Sequence, residues 1–468
     1  MMSKYLIIII FFTSSSFLFA KNTVITGSAP AFTGMTVRLT SYKDYISDKE
    51  YMIASAKIDK SGNFSLAFDI STTTYAFLNL DFRRSEIYLI PGSSYDLKIK
   101  SPAGKQKNVN PFLAETILEF EIMKAADDDI NLLIYDLNVQ YNTFIADKNN
   151  FNALYRKRDK SRIDTFKNQV SQHFPDITNL YFRNFVKYKI ASLEYLARIT
   201  SKKNLFDKYF IDKPILYNHV EYMDFFNQFF NNYIISSPQI KYNDLIVAVE
   251  QKQDYFSLLD YLGKDTLLRN EVLREMVMLR GLKDMFNKAE FTKSKIIKIL
   301  DDFSVKSKFE KHRDIAKNLV SMMNKLQPGT EAPAFSLKDM EGDTVYLEDF
   351  SGKYVYLCFW TSWCVPCIKE FEALSKIYSE YNNDIEFLGI SVDKEYSSMY
   401  HFLNEKKYPW ANFHYDNDID LIEDYEIKTY PLFVLIDRKG KIIRYPAPSP
   451  SQNIEMIFGK LLFDESRR

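Results

Sequence analysis

Three patterns of apolar and polar positions divide the chain. Between residues 22 and about 104 the apolar positions alternate. Val37 and Leu39 do so with polar neighbours, as do Phe64, Leu66 and Phe68, and again Tyr95, Leu97 and Ile99. A period of two is that of a half-buried strand, whose successive side chains point to opposite faces. Lys60-Ser61-Gly62-Asn63 and Pro91-Gly92-Ser93 read as turns between such runs. Short strands at this spacing predict a small antiparallel β-sandwich over residues 21–105.

From residue 110 to 326 the period lengthens. Leu113, Ile117, Phe120 and Met123 recur at helical spacing, and Val186, Ile190, Leu193 and Ala197 do the same. Leu268, Val272, Met276, Leu279, Leu282 and Phe286 form a longer stripe, and Ile315, Leu319, Met322 and Leu326 the last. These predict an all-α middle domain punctuated at Asp212, Pro214 and Gly263. No fixed-period repeat runs through it, which disfavours a solenoid. One stretch is rich in rings: Tyr222, Phe225, Phe226, Phe229, Phe230 and Tyr233. It reads either as a helix buried on a wide face or as a groove for an unfolded or peptide partner. Burial of the rings decides between the two.

Lys325-Leu326-Gln327-Pro328-Gly329 suits a domain boundary. Beyond it, residues 328–468 predict strand, helix, strand, helix, strand, strand, helix. The apolar run Tyr354 to Trp360 is the first of these strands. Ser397–Lys407 is an intervening helix, and Ile419–Tyr425 a further short one. Lys439-Gly440 is a hairpin turn, and Ile454–Leu462 a closing helix.

At 468 residues the chain is long enough for two to four domains. Its 61 Lys and Arg balance 61 Asp and Glu, which argues against a nucleic-acid binder, since phosphate binding needs a basic surface. The balance is uneven. Residues 328–468 hold 15 basic against 24 acidic side chains, leaving 46 against 37 in the remainder. Solvated faces account for such a bias, and charge-assisted docking between the parts is the sharper expectation. Lys4, the apolar run Tyr5–Phe12 and the segment Ser14–Ala20 read as a secretory leader, residues 1–20, cut after Ala20. The expected location is therefore the periplasm. Membrane proximity arises only if that leader stays uncleaved.

The three cysteines, Cys358, Cys364 and Cys367, fall within ten residues, so no structural disulfide framework exists. Phe359-Trp360-Thr361-Ser362-Trp363-Cys364-Val365-Pro366-Cys367 runs from a strand through a polar turn into a helix. A helix start presents unpaired N–H groups and the positive end of the dipole, which favour a thiolate at Cys364. Cys367, three residues on, is within reach to close a disulfide. Pro366 lacks an N–H that would be unpaired there anyway. Attack of the Cys364 thiolate on a disulfide, with Cys367 as resolving thiol, is the chemistry expected. The alternative, a metal site, needs further ligands. The five histidines, His173, His219, His312, His401 and His414, show no ligand spacing. No metal and no cofactor is called for.

This stretch resembles the thioredoxin superfamily, in its TlpA/ResA-like, AhpC/TSA-related branch of secreted thiol–disulfide oxidoreductases. The resemblance covers residues 328 to 462. It rests on Pro328–Leu337, Gly342–Lys353, Trp360–Cys367, Glu370, Phe387–Asp393 and Thr429–Asp437. It implies an α/β thioredoxin-like domain. It implies that Pro431 is a cis-proline against the disulfide, presenting the Tyr430 backbone to an incoming peptide, with Trp363 and Pro366 on the same substrate face. It implies that Glu370 tunes the cysteines and relays a proton when Cys367 attacks. The 21–105 region loosely resembles the β-domain that precedes such modules in some secreted proteins. The implied activity is reduction of disulfides in cell-envelope proteins, with electrons from a membrane thiol carrier. The alternative is an envelope-binding scaffold in which redox chemistry is minor or regulatory.

Departures qualify the resemblance. Cys358 stands where many thioredoxins carry a buried Asp, and reads as a buried strand thiol. Glu372 replaces a proline common in TlpA-like helices, and with Lys369 it reads as a surface charge. The peroxiredoxin pattern Pro-x-x-x-Thr-x-x-Cys is half met by Thr361 and Cys364, but position 357 is Leu. Asp416-Asn417-Asp418-Ile419-Asp420 begins like a calcium loop, but Leu421 and Ile427 replace its Gly and Glu. It reads instead as a helix cap.

Overall fold

The computed structural model describes residues 21–101, 117–126, 128–175 and 177–466. The expected leader, residues 1–20, and Leu113 lie outside them. Among the described residues no helix is long and apolar enough to cross a membrane.

The alternating region forms β1 (Lys21–Ser28), β2 (Thr36–Tyr42), β3 (Glu50–Lys57), β4 (Asn63–Ile70), β5 (Thr74–Leu80), β6 (Arg83–Leu89), β7 (Ser94–Ile99) and β8 (Phe120–Ile122). They build two four-stranded sheets, ordered β4-β1-β7-β8 and β3-β2-β5-β6. Burial follows the alternation. In β4, Phe64, Leu66, Phe68 and Ile70 are buried and the residues between them exposed. They share one core with Val37, Leu39, Tyr95, Leu97 and Ile99. Each such side chain contributes roughly 1.5–3 kcal/mol when fully buried. Gly62 turns β3 into β4 at φ +81°, and a Cβ there would lie 2.6 Å from Pro30 Cα.

Two expectations are corrected. One pairing of the sandwich, β1 with β7, is parallel. And Ile117, Phe120 and Met123 are not helical: Phe120 lies in β8, Ile117 bridges Arg84, and Met123 follows β8. The open edge of β7 supplies the partner for this short strand. Three apolar residues spaced by three fit either element.

Helices follow from Ile130 to Asn324. Asp129, Asp159, Asn179, Asp254 and Asn270 cap five of them through side-chain acceptors. The ring-rich stretch is core. Tyr222, Phe225, Phe226, Phe229 and Phe230 are at most 1% exposed and Tyr233 is 4% exposed, so the groove reading fails. The sandwich docks onto this body, with Tyr75, Phe77 and Tyr88 joining the helical core. Asn131 takes the place of a further strand beside β6. Its amide accepts from Tyr88 N–H at 2.7 Å and donates to Tyr88 C=O at 2.9 Å.

The third unit contains β9 (Ser336–Lys338), β10 (Thr344–Tyr346), β11 (Tyr354–Trp360), β12 (Ile385–Ser391), β13 (Ala411–His414), β14 (Leu432–Ile436) and β15 (Ile442–Arg444). Its five-stranded sheet is ordered β13-β12-β11-β14-β15. β11, β12 and β13 run parallel, and β14 and β15 antiparallel to their neighbours. β13, four residues at the edge, is a strand that the apolar pattern did not single out. Helices Val365–Tyr381, Tyr396–Lys406, Ile419–Asp424 and Glu455–Ser466 complete a thioredoxin-like α/β unit. Every residue of β11 is buried, because apolar clusters cover both faces of this central strand. Asp418 caps Ile419–Asp424, as expected of the false calcium loop.

Candidate active site

The dithiol sits where β11 ends and the helix Val365–Tyr381 begins. Cys364 and Cys367 are joined by a disulfide. Cys364 is the N-cap residue of that helix, and its Sγ accepts the Cys367 N–H at 3.1 Å. Pro366 occupies the first turn. A sulfur placed here meets a helix N-terminus, which stabilises negative charge on it.

Both cysteines are buried residues, but not equally. Cys364 is 6% exposed and Cys367 is sealed at 0%. Around Cys364 the surface is apolar and open: Val365 is 61% exposed and Pro366 is also exposed. The Trp363 ring meets the Tyr430 ring edge to face, with centroids 6.3 Å apart. The Tyr430–Pro431 peptide bond is cis. The structure therefore brings together Trp363, Cys364, Pro366, Cys367 and the Tyr430-Pro431 loop at one end of the sheet.

Glu370 is placed differently. Its carboxylate accepts from Ser451 N–H at 2.9 Å and from Ser451 Oγ at 2.6 Å. It thus ties the dithiol helix to the turn that leads into the last helix. Lys369 and Glu372 are exposed. Cys358 is fully buried in β11, and burial, reinforced by the Glu370 charge, pushes its thiol well above its ordinary range. It is a poor nucleophile there.

One carboxylate of this end was not singled out from the sequence. Asp393, 2% exposed, follows β12 and accepts from Ser362 N–H at 2.8 Å, Ser362 Oγ at 2.9 Å and Ser391 Oγ at 2.7 Å. A lone Asp after a strand reads as a turn residue, and the register that carries it to the dithiol turn is a long-range fact. Among the described residues no cluster of three or more His, Cys, Asp or Glu side chains is arranged to hold a metal ion.

The AhpC/TSA family matches residues 328–445. The thiol–disulfide oxidoreductase ResA of Bacillus cereus is 34% identical over 127 residues, which are 26% of this chain and 72% of that protein. The thioredoxin-like protein YneN of Bacillus subtilis is 32% identical over 124 residues, 25% of this chain and 69% of that protein. A thioredoxin domain of a thiol–disulfide oxidoreductase from Bacteroides vulgatus is 29% identical, covering 29% of this chain and 97% of its own, with a TM-score of 0.27. Through its third unit the chain belongs to the AhpC/TSA family, among the ResA-like thiol–disulfide oxidoreductases.

Proposed function

We propose that this oxidoreductase is a reductase of protein disulfides in the periplasm. The carrying observation is the asymmetry of the pair: Cys364 caps the helix start and keeps 6% exposure, whereas Cys367 inside the first turn has none. In the reduced protein the Cys364 thiolate attacks one sulfur of a substrate disulfide. The substrate S–S bond breaks, and the leaving sulfur departs with the bonding electrons and takes up a proton. A mixed disulfide joins Cys364 to the substrate. Cys367 then loses its proton and attacks Cys364 Sγ. The second substrate thiol is released, and the Cys364–Cys367 disulfide closes. The substrate leaves reduced by two electrons, and the protein is oxidised by two.

Trp363, Pro366 and Tyr430-Pro431 form the wall along which the substrate chain lies, with the Tyr430 backbone pairing to it. Glu370 acts here as an anchor for the dithiol helix, and a relay role requires release from Ser451. The leader-like first 20 residues support export, after which a membrane thiol carrier returns the electrons and envelope proteins with disulfides are the substrates. The sandwich and the helical body then serve as a platform.

A Cys367→Ser variant tests this reading. It should strand substrates as mixed disulfides on Cys364, and these should be absent from a Cys364→Ser control. Partner binding that neither change alters would favour a scaffold instead.

A further inference from the structure

We infer that Asp393 is a positioning residue for the dithiol: through Ser362 it fixes the turn that sets Cys364 at the helix start. This rests on the exchange reaction proposed above.

Asp393 is nearly inaccessible, and two of the three hydrogen bonds to its carboxylate come from Ser362. Both carboxylate oxygens accept from Ser362, Oδ2 from the N–H at 2.8 Å and Oδ1 from the hydroxyl at 2.9 Å. Ser391 Oγ, at the end of β12, donates to Oδ2 at 2.7 Å. Ser362 stands two residues before Cys364, and the turn between them closes with Cys364 N–H donating to Thr361 C=O at 3.1 Å. The backbone of Asp393 is held as well. Its N–H donates to Ser391 Oγ at 3.1 Å, and its carbonyl accepts from His414 Nε2 at 2.6 Å. The dithiol turn and the end of β12 thus meet at the Asp393 carboxylate, and the end of β13 meets its backbone carbonyl.

A buried carboxylate that forms no ion pair among the described residues is costly to keep for packing alone. Here it accepts three hydrogen bonds, two of them from the residue that leads into the dithiol. A displacement of about 1 Å in a reacting atom costs on the order of 100-fold in rate. Holding Ser362 is therefore a means of holding Cys364 Sγ over the helix start.

The test uses the full chain, reduced with dithiothreitol, freed of it and mixed with dithiobis-nitrobenzoate. The Cys364 thiolate attacks the aromatic disulfide and expels one thionitrobenzoate. Cys367 then attacks the mixed disulfide, expels the second, and closes the protein disulfide. Asp393→Ala should slow the first release by about 10-fold or more. Asp393→Asn, whose amide oxygen still accepts the Ser362 N–H, should recover most of that loss.

The pH midpoint of Cys364 alkylation by iodoacetamide separates position from charge. Loss of position takes the sulfur off the helix start and moves the midpoint upward in the Ala variant but not in the Asn variant. Loss of a nearby negative charge would move it downward in both. A downward shift in both, or Ala and wild-type rates within about 2-fold, overturns the proposal. If Asp393→Ala does not fold, Ser362→Ala and Ser391→Ala each remove one hydrogen bond to the carboxylate. Both should then slow the release, and two unchanged rates overturn the proposal equally. A Cys364→Ser chain that still releases thionitrobenzoate rapidly would sink the exchange reading itself, a separate failure.

Discussion

The residue that separates this site from a plain pair of thiols is Cys364, because its sulfur caps the helix and it is the less buried of the two. Cys358 lies only six residues away yet is buried, with its thiol pushed well above the ordinary range. In the reduced native protein at pH 8, iodoacetamide should therefore label Cys364 first and leave Cys358 untouched until denaturant is added. Peptide mapping of the labelled chain checks this, and early labelling of Cys358 would contradict the burial. Glu370 makes a stability claim instead. Glu370→Ala removes the acceptor for two solvent-exposed Ser451 groups and should cost about 0.5–1.5 kcal/mol in urea unfolding. The cysteines were legible because strand, turn and paired thiols are contiguous in the chain. Asp393 was not, because its meaning depends on Ser362, 31 residues earlier.

Among the elements, the helix Val220–Phe229 shows how burial decides a reading that sequence leaves open. Its rings could line a core or a groove, and they prove to be core. Phe225→Ala should cost about 3–5 kcal/mol. The same helix carries Glu221, whose carboxyl burial pushes up to about 7, against the pull of Lys189 at 3.4 Å. A carboxyl raised in the fold binds its proton more tightly folded than unfolded. Its contribution is thus fully present below about pH 4.3 and is lost as pH rises towards 7. Glu221→Gln should flatten the fall in stability across that window, which urea titrations at pH 4.5 and 7.5 would measure. An unchanged slope would contradict the assignment. Another buried group, Glu275, accepts from His312 Nδ1 and Ser307 Oγ, and Tyr217 contacts His312 Nε2 at 2.7 Å. Nothing local announces this network, since these hydrogen-bonded partners lie 32 to 95 residues apart. Short elements failed for a related reason. β8 and β13 have three and four residues, too few to show a period, and only an open sheet edge makes them strands.

For the whole molecule, the uneven charge acquires a physical meaning. Arg38 of β2 reaches Asp420 and Glu423, the latter at 2.9 Å, and Lys325 reaches Asp424 at 3.5 Å. The carboxylates are more than half exposed, so each pair contributes about 0–1 kcal/mol and is screened by salt. Phe82, at the β5–β6 turn, adds an apolar contact to Tyr415 with ring centroids 6.3 Å apart. Arg38→Glu combined with Phe82→Ser should release the redox unit and raise the radius of gyration in solution scattering. High salt alone should do less. A double variant of unchanged radius would mean that the linker and other contacts hold the unit.

In the reading proposed here Cys364 and Cys367 form a reversible, reducing couple. Its most direct test is the reduction potential of the full chain, equilibrated in glutathione or dithiothreitol buffers with free thiols counted. A reducing pair should titrate as one two-electron couple near or below about −250 mV, on the thioredoxin side. A value near about −120 mV would mark an oxidant and contradict the reductase assignment, and no reversible disulfide at all would contradict the chemistry itself.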